Sequence, residues 1–427
     1  MRHSESRLGD VSPAARIFTA LSRRVFQPMR SVRLLSATLL AGAALAAEPV
    51  SLEDAVAAGK FSVHARLRYE GVRQAGLRDA NALTLRTRLG YTTAAFRGWR
   101  MMAELENIAA ADGDAYSQPG LNAGGAGRAS VGDPETTELN QAYVSYQRAG
   151  TVVSAGRQRL VLDNARFVGE GAWRQNQQTF DAITARNQSV KDTTLTYAYL
   201  NRIHRTVGDR HPLGNWASSS HLLNAAYAGL PGGTLAGYGY LLDLPGSRAN
   251  SCATLGASFA GSAELSRDVR LLHRLEFARQ TDHGPSPLSY SAGYHSLELG
   301  LGVPAGSLVL GQERLGADGS AAFRTPIATL HAFNGWADVF TTTPAAGLRD
   351  GYARAGMNLP AALTLNVIFH RFTLDRGGAP AGREWNAQLI RKFGAAWTAM
   401  AKWADFRRES PAFPNVRKIW LQLEFTR

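Results

Sequence analysis

One pattern limits this chain more than any other: apolar and polar residues alternate with a period of two through most of its length. Phe61, Val63, Ala65, Leu67 and Tyr69 interleave with Ser62, His64, Arg66, Arg68 and Glu70. Leu83, Leu85, Leu89 and Tyr91 interleave with Arg86 and Arg88, and Trp99, Met101, Ala103 and Leu105 with Arg100, Glu104 and Glu106. The last third repeats the pattern in Leu363–Phe369, Trp385–Leu389, Trp397–Trp403 and Ile419–Phe425, where Lys402, Lys418, Gln422 and Glu424 take the alternate positions. Side chains on a strand point to opposite faces in turn, so each run predicts a strand with one greasy and one wet side. A soluble sandwich also alternates, but its second face would not carry Arg, Glu and Gln so persistently. Runs of roughly 9–11 residues match the length of a tilted strand crossing an outer membrane, and Tyr69, Tyr91, Trp99, Trp385, Trp397 and Trp403 near run ends fit interfacial girdles. The pattern therefore predicts an all-β, transmembrane antiparallel barrel. At roughly 20 residues per strand and connection, 16–18 strands fit the chain, and 18 is favoured.

Helical spans would need about 20 consecutive apolar residues, and none follows the N-terminal region. That region reads as a signal peptide over 1–47. Arg30 and Arg33 precede the apolar stretch Leu34–Ala43, and Ala44-Leu45-Ala46 supplies the small-x-small cleavage pattern. A functional start at Met29 gives a signal of ordinary length. No Cys stands at the cleavage point, which excludes a lipoprotein anchor. Residues 48–58 are expected to be a short periplasmic lead-in, and 59–427 the barrel with long extracellular loops. The polar stretches 111–134, 160–178, 204–219 and 337–350 are the expected loops.

The formal charge is +13; residues 1–47 hold seven Arg against Glu5 and Asp10, leaving 40 of the 47 basic and 32 of the 34 acidic residues. A basic surplus suits nucleic acid as well as an anionic solute, but here the bases recur inside alternating strands and do not cluster on one helix, so nucleic acid is not expected. Cys252 is the only cysteine, so no internal disulfide forms; it reads as a small residue near a strand start. Asp112, Asp114, Asp133 and Glu135 are a weak calcium pattern, better read as a solvated acidic loop, and no metal or cofactor is expected.

Three segments resemble the alginate export porin family: Leu139-Asn140-Gln141-Ala142-Tyr143-Val144-Ser145-Tyr146; Gly156-Arg157-Gln158-Arg159 through Leu162–Gly169, Trp173-Arg174-Gln175-Asn176 and Gln178-Thr179-Phe180-Asp181; and Pro326–Asp338, followed by Gly347-Leu348-Arg349-Asp350. The resemblance extends over 59–425, more weakly around 210–265. It implies a monomeric 18-stranded outer-membrane barrel, inserted by the barrel assembly machinery, surrounded by outer-membrane lipid and passing an anionic solute or polysaccharide such as alginate. Such barrels usually end on an aromatic residue; here Phe425 is followed by Thr426 and Arg427, expected to be a short tail.

Parity turns Arg66, Arg68, Arg86, Arg88, Arg100, Arg270 and Arg274 toward the hole. Arg157, Arg159, Arg166 and Arg174 lie in the segment that resembles the family's constriction. Arginine stays charged at any relevant pH and grips carboxylates with a two-point fork, and basic rings favour anions. These residues are accordingly the expected lining for a carboxylated solute. The alternative is that they pair with Glu70, Glu104, Glu106, Asp163, Glu170, Asp181 and Glu276 and only brace the lumen. Asn334, Trp336 and Asp338 form a loop motif, with Asn334-Gly335 as its turn; Trp336 either lines the outer mouth or packs the loop. His273 falls on the lipid-facing parity near the middle of its run. No catalytic residue is expected, since no histidine lies in a nucleophile motif; a barrel enzyme or a non-conducting structural barrel are the rivals.

Overall fold

The computed structural model describes residues 49–427, so the expected signal peptide lies outside the described residues. The lead-in is not merely extended. Ser51 caps a short helix, α1 (Leu52–Ala57), accepting from the amide of Asp54 while Asp54 accepts from the amide and hydroxyl of Ser51. Eighteen strands follow. They run β1 (Lys60–Gln74), β2 (Ala80–Thr92), β3 (Trp99–Ala110), β4 (Thr136–Arg148), β5 (Thr151–Gln158), β6 (Thr179–Asn187), β7 (Thr193–His204), β8 (Asn215–Leu230) and β9 (Gly233–Leu242). The second half continues through β10 (Cys252–Ser266), β11 (Val269–Asp282), β12 (Ser291–Val303), β13 (Gly306–Leu315), β14 (Leu348–Leu359), β15 (Leu363–Thr373), β16 (Pro380–Phe393), β17 (Trp397–Arg408) and β18 (Val416–Thr426). Every strand pairs antiparallel with its sequence neighbours, and β1 pairs with β18, so the sheet closes on itself and leaves no edge.

The ring is sealed by the residues expected to be a tail. Thr426 stands opposite His64 in the ladder, and Val63 and Arg427 exchange backbone hydrogen bonds, each 2.9 Å. The tail expectation is thus corrected: the pair after Phe425 extends the seam. Phe425 keeps its lipid-facing parity and packs on Trp397, with ring centroids 4.9 Å apart.

The alternation holds at the level of burial. Leu67, Leu85, Leu105, Leu255, Leu299, Leu310 and Leu421 are exposed on the outer face, while their neighbours Arg68, Arg86, Glu106, Thr254 and Glu313 are buried inside. Phe61 with Tyr91, Trp99 with Tyr146, and Trp397 with Phe425 make one aromatic girdle, beside the short turns. Phe369 and Trp385, 4.8 Å apart, belong to the other. This is the outer-membrane type of barrel, in which the rim of short turns faces the periplasm and the long loops face outward. His273 does face outward, but not at mid-strand. It lies four residues past the start of β11, close to the periplasmic turn, and rests on Phe259 at 5.0 Å. Cys252 opens β10 and is buried.

Two loops depart from expectation. The loop expected at 204–219 is confined to 205–214, with His204 closing β7 and 215–219 already in β8. The long connection expected at 337–350 instead spans 316–347, and Asp350 already points inward from β14.

Candidate functional site

Loops 159–178 and 316–347 turn into the barrel and meet there. Val168 and Ile327 form a parallel bridge; Gly169 donates its amide to Ile327 O (2.9 Å), and Thr329 donates to Ala165 O (3.0 Å). Gln178 Nε2 donates to Gly169 O at 2.7 Å and to Ile327 O at 3.0 Å. A pair of loops folded into a lumen carries many backbone groups away from water, and each needs a partner. The strand arginines supply them. Arg66 Nη1 lies 3.1, 3.4 and 3.3 Å from the carbonyls of Ala172, Trp173 and Arg174, and its Nε donates to Glu424 at 3.1 Å. Arg86 and Arg88 both reach Gln175 O, at 3.4 and 3.5 Å. Arg88 also pairs with Glu106, and Arg86 donates to His64 Nδ1 at 2.7 Å. Gln175 answers by donating to Thr84 Oγ1 at 2.9 Å.

Asp338 is the centre of the next layer. It accepts from His331 Nδ1 (2.7 Å), Lys418 Nζ (2.7 Å) and Arg174 Nη2 (2.9 Å). Burial would raise its carboxyl, but these three donors hold it well below the usual carboxylate range. Burial drives His331 the other way, well below its ordinary value, with Lys402 adding to the effect. A neutral ring that donates from Nδ1 and accepts from Lys402 Nζ at 2.7 Å fits both contacts. Arg174 further donates to Glu70 at 3.1 Å; although burial opposes its charge, Glu70, Asp133 and Asp338 raise its pKa. Trp173 fills the space between: His331 stacks on it at 4.2 Å, Arg68 lies 4.2 Å from its centroid and Lys402 3.8 Å. Arg68 also donates to Gln422 at 2.7 Å.

Across the lumen, Arg166 grips Glu313 with two bonds, 2.7 and 3.0 Å, and donates to Asn334 Oδ1 at 2.9 Å. Asn334 and Gly335 make the expected turn, with φ of 54° and 86°. A Cβ on Gly335 would overlap the Glu384 carboxylate, so the turn seats glycine for space as well as for backbone. Trp336 does not line the outer mouth. It is buried inside, with Lys402 Nζ 3.7 Å over its ring, and Ala337 donates its amide to Glu384 at 2.8 Å.

The expected lining therefore separates into groups. Arg66, Arg68, Arg86, Arg88 and Arg166 face the lumen but are buried braces, and Arg174 is a half-buried one; Arg68 and Arg86 are each 1 % exposed. Arg274 pairs with Glu276 at 2.6 Å. Arg159, in the loop, stands 4.0 Å from Glu170. Arg157 falls on the outward parity with Val153, paired to Asp181 at 2.9 Å, and so does not join the lumen set. Asp163 has no arginine partner among the described residues; it accepts from Asn224, and burial raises it. Glu104 accepts instead from Asn140 and Gln141, which both turn inward because the β3–β4 register shifts there.

Arg100 and Arg270 are different. Both are exposed, point inward near the periplasmic turns and have no ion pair among the described residues. Lys60 on β1 and Lys392 on β16 share that state, and Arg186 on β6, half-buried and inward, is likewise without an ion pair. Five cations without an ion pair thus stand around the periplasmic mouth, where Glu264 of β10, opposite Arg270 in the ladder, also faces inward. Alternation in the sequence could have found Lys60, beside Phe61. The alternation read in Trp385–Leu389 extends to Lys392 as well, whereas Arg186 lies in a run whose outward face is too mixed for parity to be read locally. Among the described residues no three His, Cys, Asp or Glu are placed to hold a metal, and no serine or threonine hydroxyl hydrogen-bonds a histidine.

Residues 59–199 match the family model described as "Alginate export", upholding the resemblance over a shorter stretch than 59–425. A search of curated proteins gives no match. Among solved structures, the chain is similar to Acinetobacter baumannii OccAB3, with 12% identity and TM-score 0.69 over 87% of this chain and 100% of that one. It is similar to Pseudomonas aeruginosa OccK3 (OpdO), with 14% identity and TM-score 0.68 over 88% and 97%. A third is Pseudomonas aeruginosa OpdK, solved with vanillate, at 12% identity and TM-score 0.67 over 87% and 99%. At these identities the likeness is one of fold alone, the closed barrel of the outer-membrane porins.

Proposed function

We propose that this barrel is a passive channel preferring anionic, carboxylated solutes, with a polyuronate such as alginate as one candidate. The observation that carries this reading is the ring of unpaired cations at the periplasmic mouth: Lys60, Arg100, Arg186, Arg270 and Lys392. Basic rings at a pore mouth concentrate anions, and exposed side chains exchange ligands fast enough not to trap them. The buried arginines contribute in another way, by holding two loops across the lumen and fixing how wide a solute passes. A matched family whose model is described by alginate export, and a structural neighbour solved with the carboxylate vanillate, both support an anionic solute.

The test is the reversal potential of the reconstituted protein in planar bilayers under a salt gradient. The wild type is expected to favour chloride over potassium. Arg100→Ser, Arg186→Ser and Arg270→Ser together are expected to move the potential toward the cation side, with the blocking effect of added polyuronate weakened in parallel. A potential that does not move rejects the selectivity reading.

A further inference from the structure

Outside the lumen, a second group of arginines serves nothing described so far. Arg371, Arg383 and Arg407 lie on adjacent strands in direct register, Arg371 opposite Arg383 and Arg383 opposite Arg407. All three are exposed and share the outward parity of Phe369, Trp385 and Trp403, only two to four residues nearer the long-loop rim. Like charges directly opposite across a ladder destabilise it unless something neutralises them. The protein does so only at the wings. Arg314 and Arg349 share Asp375, at 2.6 and 2.7 Å, and Arg407 shares Asp405 with Arg417, at 3.1 and 3.4 Å. At the centre, Arg371 and Arg383 have no carboxylate partner among the described residues, and Glu409, farther out on the same wall, forms no ion pair either. On β8, β9 and β10 the same level turns out Ala217, Ser219, Leu241 and Ala253.

We propose that the outer-rim face of β15, β16 and β17 is a docking site for the phosphate-bearing headgroup of an outer-leaflet lipid. Three facts choose this occupant. The arginines point away from the lumen, so a permeating solute does not meet them. They stand just beyond interfacial aromatics, at the depth of lipid headgroups. Their planar forks bind phosphate oxygens two at a time, and a multiply charged headgroup bridging Arg371 and Arg383 removes the repulsion between them. The site is independent of solute preference, and its failure would leave the channel reading intact.

The experiment is native mass spectrometry of the refolded full chain in uncharged detergent, offered bis-phosphorylated lipid A or the same lipid without phosphates. Wild type is expected to retain the phosphorylated lipid about tenfold better, the return from one charge-assisted contact of about 1.4 kcal/mol. Arg371→Gln with Arg383→Gln is expected to erase that preference, whereas Arg148→Gln at the other rim leaves it. Heat-modifiable gel migration confirms that each variant folds, and the two-lipid comparison on wild type needs no variant. Equal retention of both lipids, full retention by the double variant, or displacement of the lipid by millimolar inorganic phosphate would each overturn the proposal, the last by making a free anion the occupant.

Discussion

Arg174→Gln removes one side chain and should release two loops. The guanidinium spans three carboxylates: Asp338 at 2.9 Å, Glu70 at 3.1 Å and Asp133 at 4.0 Å. Glu70 and Asp133 have side chains only 1 % exposed, so neither can turn to water once the cation is gone. Breaking a buried pair from one side typically costs about 3–5 kcal/mol, because the abandoned charge stays desolvated. Swinging loop 159–178 away from the wall rehydrates those carboxylates, so most of this penalty falls on the closed arrangement alone. At about 1.4 kcal/mol per decade, the released state gains roughly two to three orders of magnitude in population. Single-channel recording reads this directly: the variant should show frequent transitions to a larger conductance that the wild type seldom visits. Arg73→Ser removes an exposed pair with Asp79 and should do nothing, since such pairs contribute only about 0–1 kcal/mol. An Arg174→Gln channel as quiet and as narrow as wild type would refute the idea that these pairs hold the loops.

Other outcomes follow from the same contacts. His331 is held below its ordinary pKa, so the unfolded chain binds a proton that the folded one does not; stability should fall as pH drops through about 6.5, by up to about 1.4 kcal/mol per unit, and His331→Asn should flatten that slope in thermal unfolding. The depressed Asp338 carboxyl has the same sign at lower pH, its contribution vanishing only as pH falls through its folded value, below the usual carboxylate range. Gly335→Ala meets both a positive φ and the Glu384 carboxylate; it should cost at least about 1 kcal/mol and reproduce part of the Arg174→Gln gating noise. Removing Thr426 and Arg427 deletes the paired bonds to Val63 and should lower the temperature of heat-modifiable unfolding, at about 0.5–1.5 kcal/mol per bond lost; an unchanged temperature would show the seam to be indifferent to them.

The wall of the barrel was legible because lipid and lumen impose opposite demands on alternate residues, and that demand is local. Leu67 and Arg68 can be assigned to opposite faces with no knowledge of any other strand. The constriction was not legible in that way. Arg166 reaches Glu313 and Arg174 reaches Asp338 across more than a hundred residues of sequence, and no period encodes such a contact. Parity brought Lys402 and Lys418 to the inner face, but their importance comes from Trp173, Trp336 and Asp338, which reach them from loops. Trp336 shows the same limit, since a motif can suggest a loop without saying which way the loop folds. Bulges are a further blind spot. One extra residue at Asn140 turns two consecutive side chains inward, which strict alternation forbids.

Because Val168 is hydrogen-bonded in strand fashion beside Ile327, the two inward loops share one backbone fastening. Neither flap can swing by itself without tearing that joint. Aperture in this barrel is consequently a two-position property: any trigger that frees one side of the fastening frees the other, and intermediate widths have nothing to hold them.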